Sequence, residues 1–79
     1  MAKFRKKPIA IEAICITQPM IIKGSTGILR GKPGDWLITS QAGEEYFVTE
    51  RAFQMNYEPV DDYAKNYLKE VHERTKYGF

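Results

Sequence analysis

Gly31-Lys32-Pro33-Gly34-Asp35-Trp36-Leu37-Ile38-Thr39 is the stretch that decides the fold class. Pro33 presets the dihedral of the first central position of a turn. Gly34 can take the positive φ that a type II turn requires at the second. The turn feeds Trp36–Thr39, four residues that predict a strand. Gln41-Ala42-Gly43-Glu44 then makes a tight connection to Glu45-Tyr46-Phe47-Val48, so the two runs predict a β-hairpin.

Upstream, Ile9-Ala10-Ile11-Glu12-Ala13-Ile14-Cys15-Ile16-Thr17 is rich in β-branched residues and bounded by Pro8 and Pro19. The two-residue period puts Ile9, Ile11, Ala13 and Cys15 on one face and Ala10, Glu12, Ile14 and Ile16 on the other. Both faces are largely apolar, which predicts a central or strongly curved strand. A bulge near Glu12 would let Ile14 and Ile16 rejoin the core face. Met20-Ile21-Ile22-Lys23 reads as a short second strand, Gly24-Ser25-Thr26-Gly27 as a turn, and Ile28-Leu29-Arg30 as the segment leading out of it.

Downstream, Thr49 is placed to cap a short helical segment from Glu50 to Gln54, with acidic Glu50 in its first turn. Asn56-Tyr57-Glu58-Pro59-Val60 reads as a final short strand, with Pro59 suited to an edge. From Asp61 the period changes. Tyr63, Ala64, Tyr67, Leu68 and Val71 make a helical stripe, with Asp61 as N-cap, Glu70–Arg74 as an i, i+4 pair and Gly78 as the stop. The expected fold is therefore α+β and mainly β: a small curled sheet or half-open barrel of five or six short strands with a C-terminal helix. Three regions follow. Residues 1–7 form a basic arm, 8–60 a small β domain, and 61–79 a helix packed on that domain or on a partner.

Composition narrows the function classes. With 79 residues the chain supports one modest core. At 43% hydrophobic and 28% charged it has the composition of a globular domain rather than a disordered one. A single cysteine, Cys15, excludes an internal disulfide. One His and one Cys leave no structural zinc site of the Cys/His type. No run approaches the length needed to span a bilayer. The basic start resembles the head of a secretion signal. The apolar run after it is interrupted by Glu12, so we read a strand in a cytoplasmic protein. Lys and Arg number 12 against 10 Asp and Glu, a net charge of +2. Lys3, Arg5, Lys6 and Lys7 concentrate positive charge in the first seven residues, an arm suited to phosphate or to an acidic partner.

Lys6-Lys7-Pro8-Ile9-Ala10-Ile11-Glu12-Ala13, Pro33-Gly34-Asp35-Trp36-Leu37-Ile38 and Phe53…Tyr57-Glu58-Pro59-Val60 form an ordered set of three motifs. The set resembles a family of small phage and prophage proteins. Its members open with an R-K-K-P-V-x-x-E-A strand, carry a P-G-D-[WY]-[LI] turn and strand, and close with F-x-x-x-Y-E. The resemblance covers residues 3–60 and makes the helix beyond them look like an extension. It implies a phage origin and a location in the host cytoplasm, and no reaction.

The residues themselves offer little catalytic chemistry. Asp35 reads as the turn residue whose carboxylate accepts local backbone N–H groups, and Glu44–Glu45 as the polar end of a hairpin. His72 reads as a solvated side chain off the helical stripe, and Cys15 as an inert core thiol. Gly31-Lys32-Pro33-Gly34 lacks the spacing of a phosphate-binding loop and reads as a structural turn. No catalytic residue, metal site or cofactor is predicted, and the chain is read as a non-enzyme. The leading expectation is a phage accessory protein that binds and modulates a host protein, with a homodimer through the C-terminal helix also open. The alternative is a nucleotide-type ligand binder whose barrel mouth is lined by Arg30, Lys32, Trp36 and Tyr46. A further alternative is nucleic-acid binding through Lys3, Arg5, Lys6 and Lys7.

Overall fold

Trp36, Leu37 and Ile38 are consecutive and all buried, so the strand that carries them is covered on both faces. The computed structural model describes residues 1–5, 9–24 and 27–75. Within these it shows an α+β fold with five strands and two helices. In chain order they are β1 (Glu12–Cys15), β2 (Met20–Gly24), β3 (Gly27–Gly31), β4 (Trp36–Thr39), β5 (Glu45–Val48), α1 (Glu50–Asn56) and α2 (Asp62–Thr75). The strands make two antiparallel sheets, one of order β1-β4-β5 and one of the pair β2-β3. The barrel does not close.

Strand register sorts the side chains into two layers. Cys15 pairs with Trp36, Ala13 with Ile38, Trp36 with Val48 and Ile38 with Tyr46. Paired residues share a face, so these six side chains point to one side of the sheet. There they meet Phe53 of α1 and Tyr67, Leu68 and Val71 of α2. Leu37, paired with Ile14 and Phe47, points the opposite way, toward the β2-β3 hairpin. Gly31 ends β3 with its backbone against the Phe47 ring and the Ile16 side chain. A Cβ built there would lie 2.6 Å from Phe47 Cε1. The molecule is thus three-layered: helices, three-stranded sheet, hairpin.

Local chemistry sets most boundaries. The Asp35 N–H donates to the Lys32 carbonyl at 2.9 Å, and Gly34 has φ of 96°, as the Pro-Gly turn predicts. The Asp35 carboxylate accepts the Lys32 N–H at 3.0 Å. Thr49 caps α1 by accepting the Ala52 N–H, and α1 runs to Asn56, two residues beyond its predicted end. Asp61 accepts the Ala64 N–H at 2.8 Å and caps α2.

Several expectations are corrected. β1 is confined to Glu12–Cys15 because its partner β4 ends at Thr39, where the chain turns through Ser40–Glu44. No return of Ile14 to the core occurs: it stays half exposed at 50%, while Ile16 is buried against the hairpin layer instead. Residues 56–60 are not a sixth strand. Tyr57 has extended dihedrals, but the segment joins neither sheet. Ile28–Arg30, read only as a connection, lies within β3 and pairs with β2. Tyr63, placed on the helical stripe, is 84% exposed, whereas Val71 is fully enclosed. The predicted stop at Gly78 lies outside the described residues.

Candidate functional site

The β2-β3 hairpin carries aliphatic side chains on its solvent side. Ile21 pairs with Arg30, and Lys23 with Ile28. Alternation sends Met20, Ile22, Leu29 and Gly31 inward, where they are half-buried or buried. The same alternation sends Ile21, Lys23, Ile28 and Arg30 outward. Ile21 is 60% exposed and Ile28 is 61% exposed. The four side chains form a checkerboard of two isoleucines and two cations. Among the described residues neither Lys23 nor Arg30 has an ion pair. Single exposed isoleucines are ordinary. Two on one small face, each beside an unneutralised cation, make a surface able to bury apolar area and attract negative charge together.

The residues expected to form a binding mouth are separated. Lys3 and Arg5 are exposed, and Lys6 and Lys7 lie outside the described residues. Arg30 is on the outer hairpin face, and Lys32 is exposed in the Pro-Gly turn. Trp36 and Tyr46 face the helices, on the far side of the three-stranded sheet from the hairpin. Trp36 lines no open mouth. It is 1% exposed, stacked at 3.9 Å on Phe53, and edge-on to Tyr67 at 5.9 Å, so no ring face is left for a nucleobase. Burial wins because the largest apolar side chain of β4 points into the only layer where two helices can cover it.

Trp36 also anchors a polar network. Its indole N–H donates to Glu50 Oε2. Glu50 Oε1 accepts from Gln54 Nε2 at 2.8 Å and lies 3.4 Å from His72 Nε2. Gln54 Nε2 in turn stands 3.3 Å from His72 Nε2. The His72 side chain is 43% exposed, yet it bridges α2 to α1 rather than projecting alone into solvent. The solvated His72 expected from its place off the helical stripe is thus corrected. Glu50 lies 22 residues away in the chain.

Burial pushes the Cys15 thiol above its ordinary value, and the Glu50 charge adds to the effect. Cys15 is therefore held as the neutral thiol, a poor nucleophile. The Tyr46 hydroxyl is 3.2 Å from that of Tyr57. This hydrogen bond, with burial, pushes the Tyr46 phenol up to about 12. Among the described residues no three His, Cys, Asp or Glu side chains converge as metal ligands do. No described helix is long and apolar enough to cross a membrane. The cleft beside Trp36, bordered by Ile11, Phe53, Val60, Ala64 and Leu68, holds about 100 Å³. Small-molecule sites usually run to roughly 300–1,000 Å³, a range reached by the open concavity of about 450 Å³ among Lys23, Leu29, Glu44, Glu45 and Tyr46. No protein family, curated protein or solved structure matches this chain.

Ile21, Lys23 and Ile28 were absent from the sequence-based binding set. Pairing Met20–Gly24 with Gly27–Gly31 would have grouped them with Arg30. It would not have said which face is outside, because both faces of the hairpin carry large aliphatic residues.

Proposed function

We propose that this chain is a phage-encoded accessory protein that binds a host protein in the host cytoplasm and modulates it without catalysing a reaction. The observation that carries the binding role is the outer face of the β2-β3 hairpin, where Ile21 and Ile28 stand about 60% exposed beside Lys23 and Arg30. Covering the exposed parts of two isoleucines would contribute roughly 2–4 kcal/mol to a complex. The two cations would set orientation and speed encounter. The phage origin rests on the motif resemblance over residues 3–60. In this reading the hairpin folded over β5 is the flap of a half-open barrel, and it presents its free side to the partner.

A photoreactive residue at position 28 tests the reading. Irradiation in bacterial lysate is expected to give a discrete protein adduct that unlabelled protein competes away and the Ile21→Asp variant does not. The same probe at Lys69, on the wet side of α2, is expected to give none. Equal labelling from both positions would end the assignment to the hairpin.

A further inference from the structure

We infer that the partner segment seated on the hairpin carries apolar and acidic residues alternating along one of its faces. This rests on the protein-binding reading above and specifies its chemistry. Along β2 the outward residues are Ile21 and then Lys23, and along β3 they are Ile28 and then Arg30. Each strand therefore offers one apolar and one cationic side chain two residues apart, roughly 7 Å along the strand. An extended segment crossing this face meets that spacing when its own near-side residues alternate apolar and acidic at i and i+2.

Charge decides between the possible occupants. A second copy of the same face would bring Lys23 and Arg30 against Lys23 and Arg30, a like-charge contact that costs energy where water is excluded. Nucleic acid would satisfy the cations and leave both isoleucines without an apolar surface. Glu44 and Glu45 border the same concavity as Lys23, near the tip of the hairpin, without an ion pair to it among the described residues. Arg30, at the opposite end of the face, is the cation farther along the strand from that tip, and its guanidinium can donate two N–H bonds to one carboxylate.

The test uses the whole chain labelled with nitrogen-15 and two acetylated peptides. One repeats Leu-Ser-Glu-Ser, and the other has Lys in place of every Glu. The acidic peptide is expected to move the amide signals of residues 21–23 and 28–30 and to bind roughly three- to tenfold more tightly than the basic one. The double variant Lys23→Glu with Arg30→Glu is expected to reverse that preference. All substituted positions are exposed, so the fold is retained.

Equal movement by both peptides would overturn the acidic partner while leaving the hairpin as a binding face. So would binding confined to phosphatidylserine vesicles, or a dimer in sedimentation that Ile28→Asp dissolves. If neither peptide moves these signals and the position-28 cross-link is also absent, the inference and the binding reading fall together.

Discussion

At the scale of single residues, the tyrosine pair shows how one contact changes a side chain's chemistry. The Tyr46 and Tyr57 hydroxyls share a hydrogen bond, and partial burial adds to its effect. Both favour the neutral phenol of Tyr46, which therefore ionises near 12 rather than at the usual value of about 10. An unfolded chain loses this proton first. The contribution to stability is thus fully present below about pH 10 and is lost as pH rises toward 12. Phenolate absorbance is expected to show one late-titrating tyrosine in the native protein. The Tyr57→Phe variant should move it back toward the ordinary range. An unchanged titration in that variant would show that the hydroxyl pair is not the cause. Neither partner was visible as a pair in the sequence, where eleven residues separate them and Tyr57 sits in a segment that reads as a strand.

At the scale of elements, the hairpin is held to the sheet by the absence of a side chain. Gly31 was legible as a turn residue before Pro33, but its structural demand is different. A methyl group at this position would lie 2.6 Å and 2.7 Å from two atoms of the Phe47 ring and 2.9 Å from Ile16 Cδ1. A ring flanked by a buried isoleucine cannot yield cheaply. Gly31→Ala is expected to cost about 1–3 kcal/mol as an overpacked core does, read as a lower midpoint in urea. A neutral result would mean that the hairpin shifts freely, and it would weaken the case for a fixed outer face. The two helices are more readable. Thr49 and Asp61 precede them and cap them, because capping uses only bonds to the next three residues. The strand predicted at residues 56–60 failed for the converse reason. Extended backbone is a local property, but a strand also needs a neighbour with free N–H and C=O groups.

At the scale of the whole molecule, α2 is part of the core rather than an appendage. The motif resemblance stops near residue 60, and residues 61–79 were expected to form a helix packed on the β domain or on a partner. Val71 is fully enclosed with Trp36, Ile38 and Cys15, and Tyr67 and Leu68 pack beside it. The Tyr67 hydroxyl also accepts the Cys15 N–H at 3.0 Å, closing a donor on the edge of β1. Enclosing Val71 alone is worth roughly 1.5–3 kcal/mol, a large share of the stability of a domain this size at about 0.05–0.15 kcal/mol per residue. A chain ending at residue 60 is therefore expected to lose its cooperative thermal transition. It should also expose Trp36, the sole tryptophan, to quenching by acrylamide. A truncated chain that melts cooperatively would restore the helix as a detachable extension.

The sequence by itself determined the Pro33-Gly34 turn, the β4-β5 hairpin and both helix caps, because each depends on bonds within a few residues. It did not determine the burial of Trp36, which was expected at an open mouth and is enclosed by helices far along the chain. Tertiary structure decided which side of the β2-β3 hairpin faces water. With Met20, Ile22 and Leu29 on one side and Ile21 and Ile28 on the other, burial of either would satisfy the hydrophobic effect. It decided too that His72 meets Glu50, since a side-chain contact between two helices depends on how the sheet beneath them sets their spacing. The candidate binding face belongs to this second group: packing of the hairpin by its other face would have hidden Ile21 and Ile28 and exposed Met20, Ile22 and Leu29.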